Sequence, residues 1–230
     1  MIVALFIAVV LFQGNEGKAV GDNCGDDRYT QCYNLYPAEL WNIRAFPTEE
    51  DIDRKCPYIL EMGNCLEDFV NECKDQKGDL FSVYTLNVKF AREICDKQSL
   101  LRYNYLQNAE CYESVNSRFS ECRDKGSDAY ERYIESTGYE DKTIDNFHQS
   151  CLQSAYGLAC SISEVEASCG YTAYKTFFEM EKLKDSVAFT KYFCSRIDFD
   201  KEIRSGFFTT LQIPEIRRPV FDEVLQELRY

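Results

Sequence analysis

From Thr48 to Cys194, apolar side chains recur three and four residues apart, the spacing of one buried helix face. Thr48 follows Pro47 and precedes Glu49, Glu50 and Asp51, an N-cap followed by acids that favour the positive end of a helix dipole. The helix it opens is predicted to run towards Lys74, with Leu66, Phe69, Val70 and Cys73 on its buried face. Pro57 falls inside it, where it removes a hydrogen bond and is expected to introduce a kink. After Gln76-Lys77-Gly78, Asp79 is placed to cap a second helix carrying Phe81, Tyr84, Val88, Ala91 and Cys95 on one stripe.

The second half repeats this arrangement. Thr143 to Ser168 carries Phe147, Cys151, Tyr156, Cys160 and Val165, and Gly170 is placed to stop that helix near Cys169. A helix from Tyr171 to Cys194 then carries Phe177, Met180, Leu183 and Val187. Aligned backwards from Cys95 and Cys194, Val88 meets Val187, Phe90 meets Phe189, Phe81 meets Met180 and Tyr84 meets Leu183. Between the halves, Ser99 opens a helix through Leu100, Leu101, Tyr103 and Leu106, and a further helix holds Cys111, Val115, Phe119 and Cys122. Residues 125–142 read as an insertion with an exposed helix Asp128–Ser136 flanked by loops. Beyond Cys194 come an extended run from Gly206 to Ile213, a short stretch between Pro214 and Pro219, and an amphipathic helix with Val220, Phe221, Val224, Leu225 and Leu228. Five prolines and eleven glycines in 230 residues are few for a turn-rich β protein, and an all-α fold is predicted.

Twelve cysteines follow the same repeat. Cys24, Cys32, Cys56, Cys65, Cys73 and Cys95 are spaced by 8, 24, 9, 8 and 22; Cys111, Cys122, Cys151, Cys160, Cys169 and Cys194 by 11, 29, 9, 9 and 25. The spacing predicts two tandem six-cysteine helical modules cross-linked by disulfides, an internal duplication. The divisions expected are a leader over 1–19, module one over 20–98, module two over 99–196 and a tail over 197–230. In an antiparallel hairpin the start of one helix meets the end of the next, so Cys56 should face Cys95 and Cys151 should face Cys194. Cys56 and Cys65 point to opposite sides of their helix. This leaves Cys32–Cys65 and Cys24–Cys73, with Cys122–Cys160 and Cys111–Cys169, to hold the preceding helices. Six cysteines allow about fifteen pairings, so this set is one geometric solution among several.

Residues Ile2 to Phe12 are almost wholly apolar, and Gly17-Lys18-Ala19 forms a small-x-small site, so a secretory leader cleaved after Ala19 is expected. Spanning a bilayer takes about 20 apolar residues, and no run comes near that. Secretion and an extracellular location follow as expectations, and export fits full oxidation of the thiols. Zinc usually takes close C-x₂₋₄-C pairs backed by histidine, whereas here cysteines stand at least eight apart and His148 is the only histidine. A net charge of -13 opposes nucleic acid and anionic membrane surfaces. No N-x-S/T sequon occurs.

No nucleophile elbow, zinc-protease motif, dinucleotide fingerprint or P-loop is present, and no catalytic residue, metal or cofactor is expected. His148 reads as a surface or boundary residue beside a bridged Cys151. Asp198, Asp200 and Glu202 begin like a calcium loop, but Ile203 and Thr209 stand where glycine and an acid belong. Arg217-Arg218 looks like a dibasic processing site, which Pro219 blocks. Sixteen tyrosines and sixteen phenylalanines read first as core filling; the competing reading is a groove lined by Tyr84, Phe90, Tyr156 and Phe189.

Phe46-Pro47-Thr48-Glu49-Glu50-Asp51-Ile52-Asp53, then Cys56, Cys65 and Cys73, then Leu101-Arg102-Tyr103-Asn104-Tyr105-Leu106 before Cys111, resembles arthropod secreted cysteine-rich helical proteins of body fluids, saliva and centipede-type venom. That group is similar in turn to the nematode secreted domain of unknown function. The resemblance implies a helical, disulfide-rich secreted protein and brings no catalytic residues. The function expected is a non-enzymatic monomer of an arthropod fluid, most specifically a venom toxin, acting on an extracellular target. The alternative is an extracellular carrier of a small hydrophobic ligand.

Overall fold

A computed structural model of the chain describes residues 24–40, 45–77, 82–139 and 146–229. The leader, Asp79, Phe81 and Thr143 lie outside these residues, as does the side chain of Tyr84. The described residues form helices and no strand, and the chain divides into two compact units, one ending at Arg102 and the other beginning at Tyr103.

Unit one contains α1 (Asp26–Tyr33), a 3₁₀ turn Ala38–Leu40, α2 (Glu49–Lys77) and α3 (Ser82–Cys95). A reciprocal capping box opens α2. The Asp51 N–H donates to Thr48 Oγ1 at 3.3 Å, and the Thr48 N–H donates to Asp51 Oδ2 at 3.2 Å. The helix continues through Pro57, whose ring is exposed and leaves the Asp53 carbonyl without its usual N–H. Gly63 allows α3 to pack closely on α2: a Cβ there would lie 3.3 Å from Val88 Cγ1. Three bridges join these elements: Cys56–Cys95 ties α2 to α3, Cys32–Cys65 ties α1 to α2, and Cys24–Cys73 anchors the chain two residues before α1 on the far end of α2. Cys24, Phe69 and Cys73 pack as one buried cluster with Tyr29 against it.

At the end of the unit, Ser99 caps the next helix by accepting N–H bonds from Leu101 and Arg102 at 3.1 and 3.4 Å. Arg102 is 2 % exposed, yet it is paired: its guanidinium donates to Asp53 at 2.8 Å, to Glu49 at 3.3 Å and to the Ile94 carbonyl at 3.1 Å. A buried charge is tolerable when its donors are met in this way.

Unit two contains most of α4 (Leu100–Thr137), then α5 (Phe147–Cys169), α6 (Tyr171–Leu183), α7 (Asp185–Cys194), α8 (Phe199–Arg204), a 3₁₀ turn Phe207–Thr209 and α9 (Arg218–Glu227). Its bridges repeat those of unit one by rank: first to fifth (Cys111–Cys169), second to fourth (Cys122–Cys160) and third to sixth (Cys151–Cys194). All twelve cysteines are bridged.

Several elements differ from their sequence expectation. The three helices expected between Ser99 and Ser136 are one, because Gly126 at their junction sits in close packing where a helix is held by its neighbour. A Cβ at Gly126 would lie 3.0 Å from the Tyr156 ring. Leu100 and Tyr103 are 71 % and 62 % exposed, while Arg102, Tyr105, Ala109 and Tyr112 turn inward. The helix expected from Tyr171 to Cys194 breaks at Lys184, whose ψ of 175 is extended. The run expected to extend from Gly206 to Ile213 begins instead with a buried 3₁₀ turn, Phe207–Thr209. Nor does the tail stand apart from the second cysteine set, since α9 buries Val220, Phe221, Val224 and Leu225 and packs on α5. Gly170 ends α5 at φ 85, a conformation that suits glycine.

Replacing Cys151 and Cys194 together by alanine opens a 43-residue loop, and the loop-entropy relation puts the expected loss near 4 kcal/mol of unfolding free energy. Urea unfolding of the oxidised double variant measures this. A loss below about 1 kcal/mol would show that α5 and α7 hold together without their bridge.

Candidate functional site

Unit two brings its one histidine to a polar cluster that sequence reasoning did not assemble. The first turn of α5 carries His148, and its side chain is 5 % exposed, not at the surface or boundary as expected. Tyr130 and Tyr133, three residues apart on α4, approach it from one side. Tyr130 Oη lies 3.1 Å from Nδ1, and the Tyr139 ring stacks on the imidazole at 4.1 Å between centroids. From the tail, Glu202 of α8 places Oε1 3.5 Å from Nε2. Its Oε2 accepts the Phe207 N–H at 2.9 Å and the Tyr133 hydroxyl at 3.2 Å.

The carboxylate sets the histidine tautomer. An unprotonated Nε2 would turn a lone pair towards Glu202 Oε1, so Nε2 carries the proton and Nδ1 accepts from the Tyr130 hydroxyl. Burial alone would raise the Glu202 carboxyl; the facing His148 imidazole and the hydrogen bonds from the Phe207 amide and Tyr133 outweigh it and hold the group below its ordinary value. Tyr133 shifts the opposite way, to about 12, through burial first and then the neighbouring Glu202 charge.

A cleft of about 210 Å³ opens beside this cluster, lined by His148, Glu202 and Tyr139 together with Arg196, Ile197 and Asp198 from the turn between α7 and α8 and Lys201 from α8. Asp198 is the N-cap of α8, its Oδ1 accepting the Lys201 N–H at 3.0 Å. Asp200 turns away to Arg229 at 2.6 Å and Arg204 at 3.2 Å. The three acids that begin like a calcium loop therefore serve three separate purposes and share no cation site.

Among the described residues, one group of cysteines, histidines and acids gathers its ligand atoms within 4.8 Å: Cys122, Cys160 and Glu164. The two sulfurs are bonded to each other, so neither offers a thiolate. Glu164 is itself taken up by Arg118 at 3.1 Å and by Arg217. Arg217 thus holds the tail onto α5, a structural use of the dibasic pair. Of the aromatics considered for a ligand groove, Tyr156 meets Phe221 edge-on at 5.7 Å within unit two, and Phe90 on α3 and Phe189 on α7 are half-buried.

No helix among the described residues is long and apolar enough to cross a membrane. No family model, curated protein or solved structure matches the chain.

The His148 cluster was hidden from sequence reasoning because its two polar contacts on the ring nitrogens, Tyr130 and Glu202, stand 18 and 54 residues from the histidine along the chain. One signal was present: a lone histidine at the start of an apolar helix, with glycine four residues after Glu202. A Cβ on Gly206 would lie 2.2 Å from Glu202 Oε2. Gly206→Ala should therefore displace the carboxylate from the Phe207 amide and destabilise the protein by about 1–3 kcal/mol. Thermal unfolding measures it, and an unchanged midpoint would contradict the assigned bond.

Because the folded Glu202 group titrates below its ordinary value, it stabilises the fold above that value. The contribution is lost as pH falls through the lowered folded value. Urea midpoints for Glu202→Gln should accordingly converge on wild type under strongly acidic conditions and fall short of it near neutrality. Parallel curves at all pH values would contradict the assignment.

Proposed function

We propose that this chain is a secreted, non-enzymatic, disulfide-stabilised protein of an arthropod fluid, and most specifically a venom component. The observation that carries the reading is the repeated set of three bridges per unit, which commits every cysteine and leaves no thiol in reserve. Such bridging belongs to oxidising compartments. The arthropod assignment rests on the resemblance of the Phe46–Asp53 and Leu101–Leu106 segments, together with the cysteines between and after them, to that secreted group.

Dense cross-linking restrains the unfolded chain by about 2–4 kcal/mol per bridge. That suits a protein working among extracellular proteases. The buried histidine supports the non-enzymatic reading, since its Nδ1 is engaged by Tyr130 and none of the described residues lining its cleft is a serine or cysteine. Core packing of Tyr156 on Phe221 likewise favours filled space over a hydrophobic-ligand groove.

Transcript abundance across tissues tests the venom assignment. Strong enrichment in a secretory gland is expected; even expression over fat body and haemocytes, with none in a gland, would defeat it. Turnover of any ester, peptide or glycoside in a broad panel by the purified oxidised protein would overturn the non-enzymatic reading.

A further inference from the structure

The cleft beside His148 has an unequal supply of hydrogen-bonding groups. Its two carboxylates are committed: Asp198 caps α8, and Glu202 accepts from Phe207 and Tyr133 while facing His148. Its donors are not. Neither Arg196 nor Lys201 meets a carboxylate among the described residues; Arg196 only lies over the Tyr192 and Phe147 rings, at 5.0 and 5.8 Å. His148 Nε2 is buried without a hydrogen-bond partner, because Oε1 at 3.5 Å is too far for a full bond.

We propose that this cleft binds a small organic carboxylate, its anion held by Arg196 and Lys201 at the rim and its planar body lying along the Tyr139–His148 wall. The inventory decides the charge: a site with free donors and committed acceptors favours an anion over an amine or a metal ion. Size decides the class. A cavity of about 150 Å³ holds benzene, so the 210 Å³ here suits a single-ring or short-chain acid rather than a lipid. Tyr139 and Ile197 supply the apolar surface such a body needs, with the tyrosine already stacked on the imidazole at 4.1 Å. The ligand differs in both size and polarity from the hydrophobic cargo that aromatic content alone suggests, and the inference does not depend on the venom assignment.

His148 is the single histidine of the chain, so its ring protons give one resolvable signal next to the site. Sodium benzoate titrated into the oxidised full protein, at constant pH and ionic strength, should shift that signal saturably. The variant Arg196→Gln/Lys201→Gln should bind benzoate about tenfold more weakly or worse, as loss of two charge-assisted bonds requires. Both side chains are exposed, and an unchanged histidine signal before benzoate is added reports an intact fold. A linear shift, or a saturable one that the double variant leaves unaltered, would overturn the proposal. Sodium phosphate run in parallel should bind more weakly than benzoate, having no body to lay against Tyr139. Phosphate binding as tight or tighter would overturn the organic ligand in favour of an inorganic oxyanion.

Discussion

A cystine between the third and sixth cysteines closes each helical hairpin, and every other element depends on that closure. Cys56–Cys95 sets α3 against α2, and Cys151–Cys194 sets α7 against α5. Once the hairpin is closed, the long first helix of each pair carries two more sulfurs, eight or nine residues and so more than two turns apart. These capture the preceding helix at two points, through Cys65 and Cys73 in one unit and Cys160 and Cys169 in the other. A unit of this size buries a limited apolar core, and staples of this kind offset that shortfall by restraining the unfolded chain.

Buried charge is the second constraint, and at Arg102, Glu164 and Glu202 it is met by partners that include residues distant in sequence. Arg102 in unit one reaches two acids and a carbonyl; Glu164 in unit two is shared by Arg118 and Arg217. Glu202 is the most heavily used, joining α8 to the following turn and to Tyr133 of α4. The tail is therefore fastened by polar bonds as well as by the apolar face of α9. In a chain with an acidic excess, placing three of its cationic groups on two buried or half-buried ion networks also limits repulsion where it would cost most.

Much of this architecture could be read in the residues. Cysteine rank and hairpin geometry carry the pairing, because a disulfide needs its two Cα atoms within a few ångströms and few helical arrangements meet that three times over. Thr48 and Ser99 cap their helices as their residue types suggest, and Gly170 stops α5. What could not be read was decided by tertiary contact. Nothing local joins Ser99 to Ser136 in one helix; Gly126 passes as a helix breaker until α5 packs against it. Lys184 breaks a segment whose periodicity continues across it. The run from Gly206 is expected to be extended, yet the Glu202 carboxylate holds the Phe207 amide where the chain winds into a turn. His148 became part of a site only when α4, α5 and α8 were brought together.

Non-reducing peptide mapping of the native protein tests the central claim most directly, that two copies of one six-cysteine module each fold under the same three clamps. The account predicts six linked peptide pairs, with Cys24–Cys73, Cys32–Cys65 and Cys56–Cys95 in one set and Cys111–Cys169, Cys122–Cys160 and Cys151–Cys194 in the other. A major bridge joining any cysteine of the first set to one of the second, or a free thiol in the native protein, would contradict it.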